Sequence, residues 1–139
     1  MTVLQDVMTE SVVDAKPTDD LLTLAKEMET KDVGMIPVME NGNVSGILTD
    51  RDIVTKGLAK NKDIEKVTAS EIMNENVVTA LPDMDISEAA KVMQDHQISR
   101  LLVAEDNQVK GVISLGDISL RDNDELSGGT LEEVKKPNH

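Results

Sequence analysis

The sequence predicts an α/β protein made of two copies of one unit, each with the element order β-α-β-β-α. The main observation is an internal repeat: residues 5–53 align without a gap with residues 70–118 at a constant shift of 65, and sixteen pairs are identical. Similarity at a fixed period indicates a duplicated structural unit. Each copy has only about 50 residues, too few to bury its own sheet and helices. We therefore expect the two copies to pack through their sheets as a pseudo-twofold pair, and the whole chain to form a homodimer.

The composition excludes several classes of function. The net charge of −13 repels a phosphate backbone, so nucleic acid is not an expected partner. The chain contains no Cys, and therefore no disulfide framework and no thiolate for catalysis or metal binding. It also contains no Phe, Trp or Tyr, so a flat ligand has to lie against aliphatic groups or peptide planes. No leader and no apolar run long enough to span a membrane is visible, and we expect a soluble cytoplasmic protein without a membrane partner.

Each copy is predicted to open with a short helical turn and a brief strand. Capping-box patterns occur from Thr2 to Gln5 and from Thr68 to Glu71. Strands are predicted at residues 12–15 and 77–81, and a proline ends each of them.

A helix follows in each copy, with Thr18 or Asp83 as the predicted N-cap. Its apolar residues are spaced i, i+3, i+4 and i+7, which places them on one buried face. These residues are Leu21, Leu24, Ala25 and Met28 in the first copy, and Ile86, Ala89, Ala90 and Met93 in the second.

Two hairpins are predicted next, from residues 35–40 with 44–48 and from residues 100–105 with 109–113. Asn41 and Gly42 are a strong turn signal, and Asp106 and Asn107 a weaker one. The first copy then ends in a helix from residue 50 to about residue 58. The predicted organisation is a first domain at 3–58, a linker at 59–67, a second domain at 68–120, and a tail at 121–139 that we expect to be loose.

The candidate site consists of a hydroxyl residue and an aspartate three positions later, Thr49 with Asp52 and Ser114 with Asp117. A carboxylate can accept two hydrogen bonds from a ribose diol, and a hydroxyl with free backbone N–H groups suits a phosphate oxygen. The pattern therefore predicts a nucleotide site. The same pattern is also typical of a helix cap, and the residues alone leave both interpretations open.

These motifs resemble the signature of a CBS domain, the module named after cystathionine β-synthase. The resemblance is carried by residues 33–38 (VGMIPV) and 46–53 (GILTDRDI), and residues 70–118 resemble a second module. It covers residues 3 to 120. The arrangement of two modules with no enzyme or channel attached resembles that of small bacterial tandem CBS proteins.

The resemblance implies two related clefts that bind adenosine-containing ligands such as AMP, ADP, ATP or S-adenosylmethionine. It implies that the aspartate holds the ribose hydroxyls, that the preceding Ser or Thr contacts phosphate, and that the opposite module supplies the adenine pocket. One implied cleft combines Thr49, Arg51, Asp52, Val77, Val78, Ser99, Arg100 and Leu101. The other combines Ser114, Asp117, Val12, Val13, Gly34, Met35, Ile36 and Pro37.

The two implied clefts differ in charge. The second copy has Gly116 where the first has Arg51, and Leu102 where the first has Pro37. The Thr49 cleft can draw on Arg51, on Arg100 and on Lys56 as a further candidate. We therefore expect phosphate-bearing ligands to prefer the Thr49 cleft.

The predicted function is a regulatory module that senses a nucleotide and signals to a protein effector in trans. The alternative is a structural dimerisation or scaffold protein whose clefts are unoccupied. An enzyme is not expected, because the sequence offers no activated nucleophile, no metal cluster and no glycine-rich phosphate loop. We expect no catalytic residue, no metal site and no cofactor other than the regulatory nucleotide or S-adenosylmethionine.

Overall fold

A computed structural model of the chain describes residues 1–10 and 12–119. The predicted loose tail at residues 121–139 lies outside the described residues. The described chain divides into two compact units. The first-repeat unit consists of Val12–Val77, and the second-repeat unit combines residues 1–10 with residues 78–119.

The first-repeat unit contains three helices and a β-hairpin. In chain order these are α1 (Leu21–Lys31), β1 (Met35–Glu40), β2 (Asn43–Thr49), α2 (Asp50–Asp52) and α3 (Ala69–Ile72). Helix α2 continues without a break into a π-helical turn at Ile53–Gly57 and a 3-10 turn at Leu58–Lys60.

The second-repeat unit repeats the order of long helix, two strands and helix. It begins with a 3-10 turn at Leu4–Asp6 and contains β3 (Thr79–Ala80), α4 (Ile86–His96), β4 (Arg100–Glu105) and β5 (Gln108–Ser114). Residues 115–119 are helical and are labelled α5. None of the helices among the described residues is both long and apolar enough to cross a membrane.

The α/β class and the two hairpins are confirmed. Strands β1 and β2 pair antiparallel, and so do β4 and β5. Strand β3 lies parallel to β4, and in the first-repeat unit its counterpart is reduced to one parallel bridge between Ala15 and Val38. The strand predicted at residues 12–15 is therefore shorter than expected.

Each unit includes the segment that opens the other repeat. Asn74 pairs with Ile47 on the outer edge of β2, and the backbone nitrogen of each residue lies 2.9 Å from the carbonyl oxygen of the other. Thr9 pairs with Val112 on the outer edge of β5, at 2.9 and 3.0 Å. Each compact unit therefore contains the opening segment of one sequence repeat and the remaining elements of the other.

The predicted helix caps are wrong by two residues. Asp20 caps α1 by accepting a hydrogen bond from the Thr23 amide at 2.8 Å, and Asp85 caps α4 by accepting one from the Ser87 amide at 3.0 Å. Thr18 and Asp83 lie instead in tight turns that follow the two prolines, so each helix begins later than predicted.

The two capping boxes predicted at the openings of the copies have different outcomes. The Thr68 and Glu71 box is formed, with the Thr68 amide donating to Glu71 at 2.9 Å. At the start of the chain Val3 is the N-cap, and no side chain caps the turn. The Thr2 carbonyl accepts a hydrogen bond from the Ile86 amide at 3.0 Å, which holds this residue beside the start of α4.

Each unit has its own aliphatic core, and the apolar faces predicted for the two long helices contribute to these cores. Leu21, Leu24 and Met28 of α1 pack with Ile36 and Leu48 of the hairpin. The corresponding core of the second-repeat unit contains, among others, Leu4, Ile86, Ala89, Met93, Leu101, Val103 and Ile113. Ala25 and Ala90 are partly buried against these cores.

Candidate functional site

Thr49 and Asp52 are held together by reciprocal hydrogen bonds where β2 ends and α2 begins. Asp52 Oδ2 accepts from the Thr49 amide at 3.0 Å and from Thr49 Oγ1 at 2.9 Å. The Asp52 amide donates in turn to Thr49 Oγ1 at 3.1 Å. This is a complete capping box, so the capping interpretation is correct for the local structure.

The second carboxylate oxygen of Asp52 has a different partner. Asp52 Oδ1 lies 3.4 Å from Lys56 Nζ, one helical turn further along. The Asp52 side chain is 17% exposed and that of Lys56 is 48% exposed. The oxygen that is not used for capping is therefore paired with a cation at the protein surface.

Ser114 and Asp117 repeat the cap in the second-repeat unit. The Ser114 amide donates to Asp117 Oδ2 at 3.2 Å, and the Asp117 amide donates to Ser114 Oγ at 3.0 Å. Asp117 Oδ1 has no hydrogen-bond partner among the described residues. Arg121, at the position that corresponds to Lys56, lies outside them.

The start of each inner strand lies next to its hydroxyl and acid pair. The Gly34 carbonyl accepts from the Asp50 amide at 3.0 Å, and Met35 is directly opposite Thr49 in the hairpin. Gly34 and Met35, which the family resemblance places in the Ser114 cleft, thus border Thr49 within the first-repeat unit.

The second-repeat unit has the same arrangement with Ser99 and Arg100. The Ser99 carbonyl accepts from the Leu115 amide at 2.8 Å, and Arg100 is directly opposite Ser114. Side chains that are opposite each other in an antiparallel pair extend from the same face of the sheet. A cation therefore borders the pair for which the sequence suggested none, and the assignment of Arg100 to the Thr49 cleft stays a prediction.

Several predicted site residues lie in the cores. Ile36 and Leu101 are fully buried, and Met35 is 4% exposed. Pro37 is also buried, and its carbonyl accepts from the Ala15 amide. Ile36 and Leu101 can offer a ligand mainly their backbone, because their side chains are packed in the cores of the two units.

The remaining predicted residues are more accessible. Val12, Val13, Val77 and Val78 are partly buried, and Arg51 is exposed on α2. Val12, Val13 and Val77 belong to the first-repeat unit and Val78 to the second.

The ion pair between Lys56 and Asp52 was not predicted from the sequence. This pair has a sequence signal, because an acid followed four residues later by a base is a favourable pair on a helix. The true caps Asp20 and Asp85 also had a signal, since they are one of the sixteen pairs that are identical in the two copies. Among the described residues no group of three or more acidic or histidine side chains could hold a metal ion.

Comparison with protein-family models assigns both copies of the repeat to the same family. The model of the CBS domain matches residues 4–58 and 69–122. The chain belongs to the CBS domain family. Each matched CBS repeat contains one hydroxyl and acid pair near its end, so the two caps described above are equivalent positions of the two repeats.

Similar proteins support this assignment over most of the chain. The CBS domain-containing protein YhcV of Bacillus subtilis is 33% identical over 139 residues, which cover 99% of each chain. The solved CBS domain pair of protein MJ0100, in complex with 5′-methylthioadenosine and S-adenosyl-L-methionine, is 30% identical with a TM-score of 0.79, and the match covers 93% of this chain and 98% of that one. A crystal structure of Hypoxic Response Protein I with two coordinated zinc ions is 31% identical with a TM-score of 0.73, and the match covers 87% and 99% of the two chains.

The family assignment bears on catalysis. CBS domains are regulatory and do not themselves catalyse a reaction. The two matched regions together account for most of the chain. The matched regions are therefore regulatory in class.

Proposed function

We propose that this protein is a regulatory module that binds adenosine-containing ligands at the Thr49–Asp52 and Ser114–Asp117 pairs and signals their presence to a protein effector in trans. The observation that carries the proposal is the complex of the MJ0100 CBS pair with 5′-methylthioadenosine and S-adenosyl-L-methionine, at 30% identity and a TM-score of 0.79. The proposal includes AMP, ADP and ATP as candidate ligands, and a homodimer in the cytoplasm as the working state.

The geometry of the two pairs supports a ribose as the recognised group. Asp52 uses Oδ2 for its cap, and Oδ1 lies at the surface beside Lys56. Asp117 likewise uses Oδ2 for its cap. Capping and ligand binding are therefore compatible, because a carboxylate has four lone-pair sites and the cap occupies only one of its oxygens.

The adenine half of each site is proposed from the resemblance to the family. Val77, Val78, Ser99, Arg100 and Leu101 are proposed for the ligand at Thr49, and Val12, Val13, Gly34, Met35, Ile36 and Pro37 for the ligand at Ser114. Since the chain lacks aromatic residues, the adenine ring is expected to lie between aliphatic side chains and peptide planes.

A scaffold protein is the second candidate, and the complete Thr49–Asp52 capping box favours it. If capping is the only role of the two aspartates, no nucleotide should stabilise the protein. Size-exclusion chromatography with light scattering tests the dimer that both candidates share.

A thermal-shift panel with AMP, ADP, ATP, GTP, 5′-methylthioadenosine and S-adenosylmethionine separates the two candidates. A ligand at about 100 times its Kd raises the free energy of unfolding by about 2.7 kcal/mol, which is easily measured. The sensing proposal expects a shift with at least one adenosine compound, and a smaller shift in the Asp52→Ala and Asp117→Ala variants. Unchanged midpoints with every compound would leave only the scaffold candidate.

A further inference from the structure

Lys56 lies beside Asp52, the candidate ribose acceptor, and contacts both its carboxylate and a backbone carbonyl oxygen. Its Nζ lies 3.4 Å from Asp52 Oδ1 and donates to the carbonyl oxygen of Ile72 at 3.5 Å. Ile72 is the last residue of α3, where the helix dipole is negative. Both contacts place the ammonium group beside Asp52, with the Lys56 side chain 48% exposed.

The capping box leaves only one oxygen of Asp52 for a ligand. Oδ2 already accepts two hydrogen bonds from Thr49, at 3.0 and 2.9 Å. A ribose hydroxyl that donates to Asp52 therefore has to reach Oδ1, which is the oxygen next to Lys56. Any ligand bound in this way is brought close to the ammonium group.

Lys56 also decides the local charge. Residues 49–57 contain two acidic side chains, Asp50 and Asp52, and two basic ones, Arg51 and Lys56, so this segment is neutral. Without Lys56 the same segment carries one net negative charge, in a chain whose net charge is already −13. This cation favours an anionic ligand group near Asp52, because close charges interact strongly where solvent is partly excluded.

We propose that Lys56 sets the charge preference of the Thr49–Asp52 site, which selects adenosine ligands with an anionic 5′ group over those with a neutral or cationic one. This inference rests on the proposed function, since it requires that the ribose binds at Asp52. It makes AMP a better ligand of this site than 5′-methylthioadenosine, which has the same adenine and ribose but no charge at the 5′ position.

Isothermal titration calorimetry with these two ligands tests the inference. The parent protein is the full chain with Asp117→Ala, so that the Ser114–Asp117 site does not contribute. In the parent background, Lys56→Gln is expected to weaken AMP binding about tenfold, the effect of losing one charge-assisted interaction. Binding of 5′-methylthioadenosine is expected to stay within about twofold, because the variant removes no contact to a neutral 5′ group.

Two control variants separate the contact from general electrostatics and from folding. Lys60→Gln removes the same charge one turn further along the same helical segment, at a residue that makes no contact with Asp52, and it should leave both affinities nearly unchanged. Lys56→Arg keeps the charge and should keep the preference for AMP. Thermal unfolding of each variant, and a repeat of the titrations without Asp117→Ala, exclude loss of folding as the cause.

The outcomes distinguish the inference from the proposed function. If the parent binds both ligands and Lys56→Gln leaves the ratio of their affinities unchanged, the inference about Lys56 is overturned and the ligand-binding proposal stands. If neither ligand binds to the parent or to the unmodified protein, the proposed function fails, and the inference fails with it.

Discussion

Met73 packs directly over Gly46, so closely that a Cβ atom at Gly46 would lie 2.6 Å from its sulfur and 2.8 Å from its Cγ. The second-repeat unit contains the same relationship, in which a Cβ at Gly111 would lie 2.6 Å from the Thr9 carbonyl oxygen and 2.8 Å from the Met8 sulfur. In both units the glycine is on the outer strand of the hairpin, where the opening segment of the other repeat crosses it. These glycines are therefore needed for close approach of the backbone.

We predict that Gly46→Ala and Gly111→Ala both destabilise the protein, and that Gly111→Ala has the larger effect. At Gly46 the added methyl group meets the flexible Met73 side chain at 2.6 Å and a backbone oxygen, that of Asn74, only at 3.1 Å, whereas at Gly111 it meets the Thr9 backbone oxygen at 2.6 Å. Overpacking of this kind typically costs about 1 to 3 kcal/mol. Urea unfolding of the two variants measures the difference.

A double variant tests the stated cause. In Gly46→Ala combined with Met73→Ala the contacts with Met73 are gone and only the Asn74 carbonyl oxygen, 3.1 Å from the added Cβ, is still close, so the loss should be smaller than the sum of the two single losses. Gly111→Ala combined with Met8→Ala should show less relief, because the Thr9 carbonyl is still in place. Equal relief at both positions would contradict the explanation from backbone contact.

The capping box at α2 leads to a prediction about Thr49. Thr49→Ala removes the hydroxyl that accepts from the Asp52 amide and donates to Asp52 Oδ2, and we expect a loss of about 1 kcal/mol in the free energy of unfolding. Thr49→Ser is the matched control, since the equivalent residue Ser114 caps its helix with a serine hydroxyl. Chemical denaturation should find Thr49→Ser close to the original protein. A serine variant as unstable as the alanine variant would show that the methyl group of Thr49, and not its hydroxyl, stabilises this end of β2.

The two hairpin turns allow an exchange between the repeats. Asn41 and Gly42 have φ angles of 53° and 81°, and Asp106 and Asn107 have 54° and 64°. Both turns are left-handed at both positions, which glycine tolerates best. We predict that Asn107→Gly stabilises the protein by about 0.5 to 1 kcal/mol and that Gly42→Asn destabilises it by a similar amount. Midpoints of thermal unfolding check both signs, and a destabilising Asn107→Gly would mean that the Asn107 side chain contributes more than the backbone strain costs.

Much of this fold was predictable because its two copies confirm each other. The strands β1 and β4 begin and end where the sequence pattern placed them, since in both copies a mostly apolar run leads into a turn signal. The caps at Asp20 and Asp85 were missed because a proline turn delays each helix by two residues, and such a turn is a local feature that helical periodicity does not report.

The candidate site was predictable in its residue types but not in its neighbours. The spacing of Thr49 and Asp52 gave both interpretations, and the structure adds that the cap uses one carboxylate oxygen while Lys56 pairs with the other. The exchange of opening segments had no sequence signal, because an alignment of two similar repeats does not show whether an opening segment pairs with its own copy or with the other. Arg100 lies opposite Ser114 because of the register between β4 and β5. That register depends on the bulge between Val103 and Ala104.

The capped helices predict how stability depends on pH. The Thr23 amide and hydroxyl bind the carboxylate of Asp20, which lowers the pKa of Asp20, and the Ser87 hydroxyl and amide lower the pKa of Asp85 in the same way. The Thr68 amide and hydroxyl lower the pKa of Glu71. A carboxyl group whose pKa is lower in the folded state than in the unfolded state stabilises the fold. This contribution is fully present above the pKa of that group in the unfolded state, about 4, and is lost as the pH falls through its pKa in the folded state.

We therefore expect the protein to lose stability on acidification from about pH 5 downward, and part of this loss to come from the caps. Asparagine also caps helices but does not titrate, so the variant with Asp20→Asn and Asp85→Asn isolates this part. The difference in thermal midpoint between the original protein and the variant should favour the original at about pH 6 and become smaller by about pH 3. Glu105→Gln, at the exposed end of β4 away from any helix cap, is the control and should show a smaller change over this range. A difference that stays constant with pH would mean that the carboxylate charge at these caps adds nothing to the hydrogen bonds that asparagine also makes.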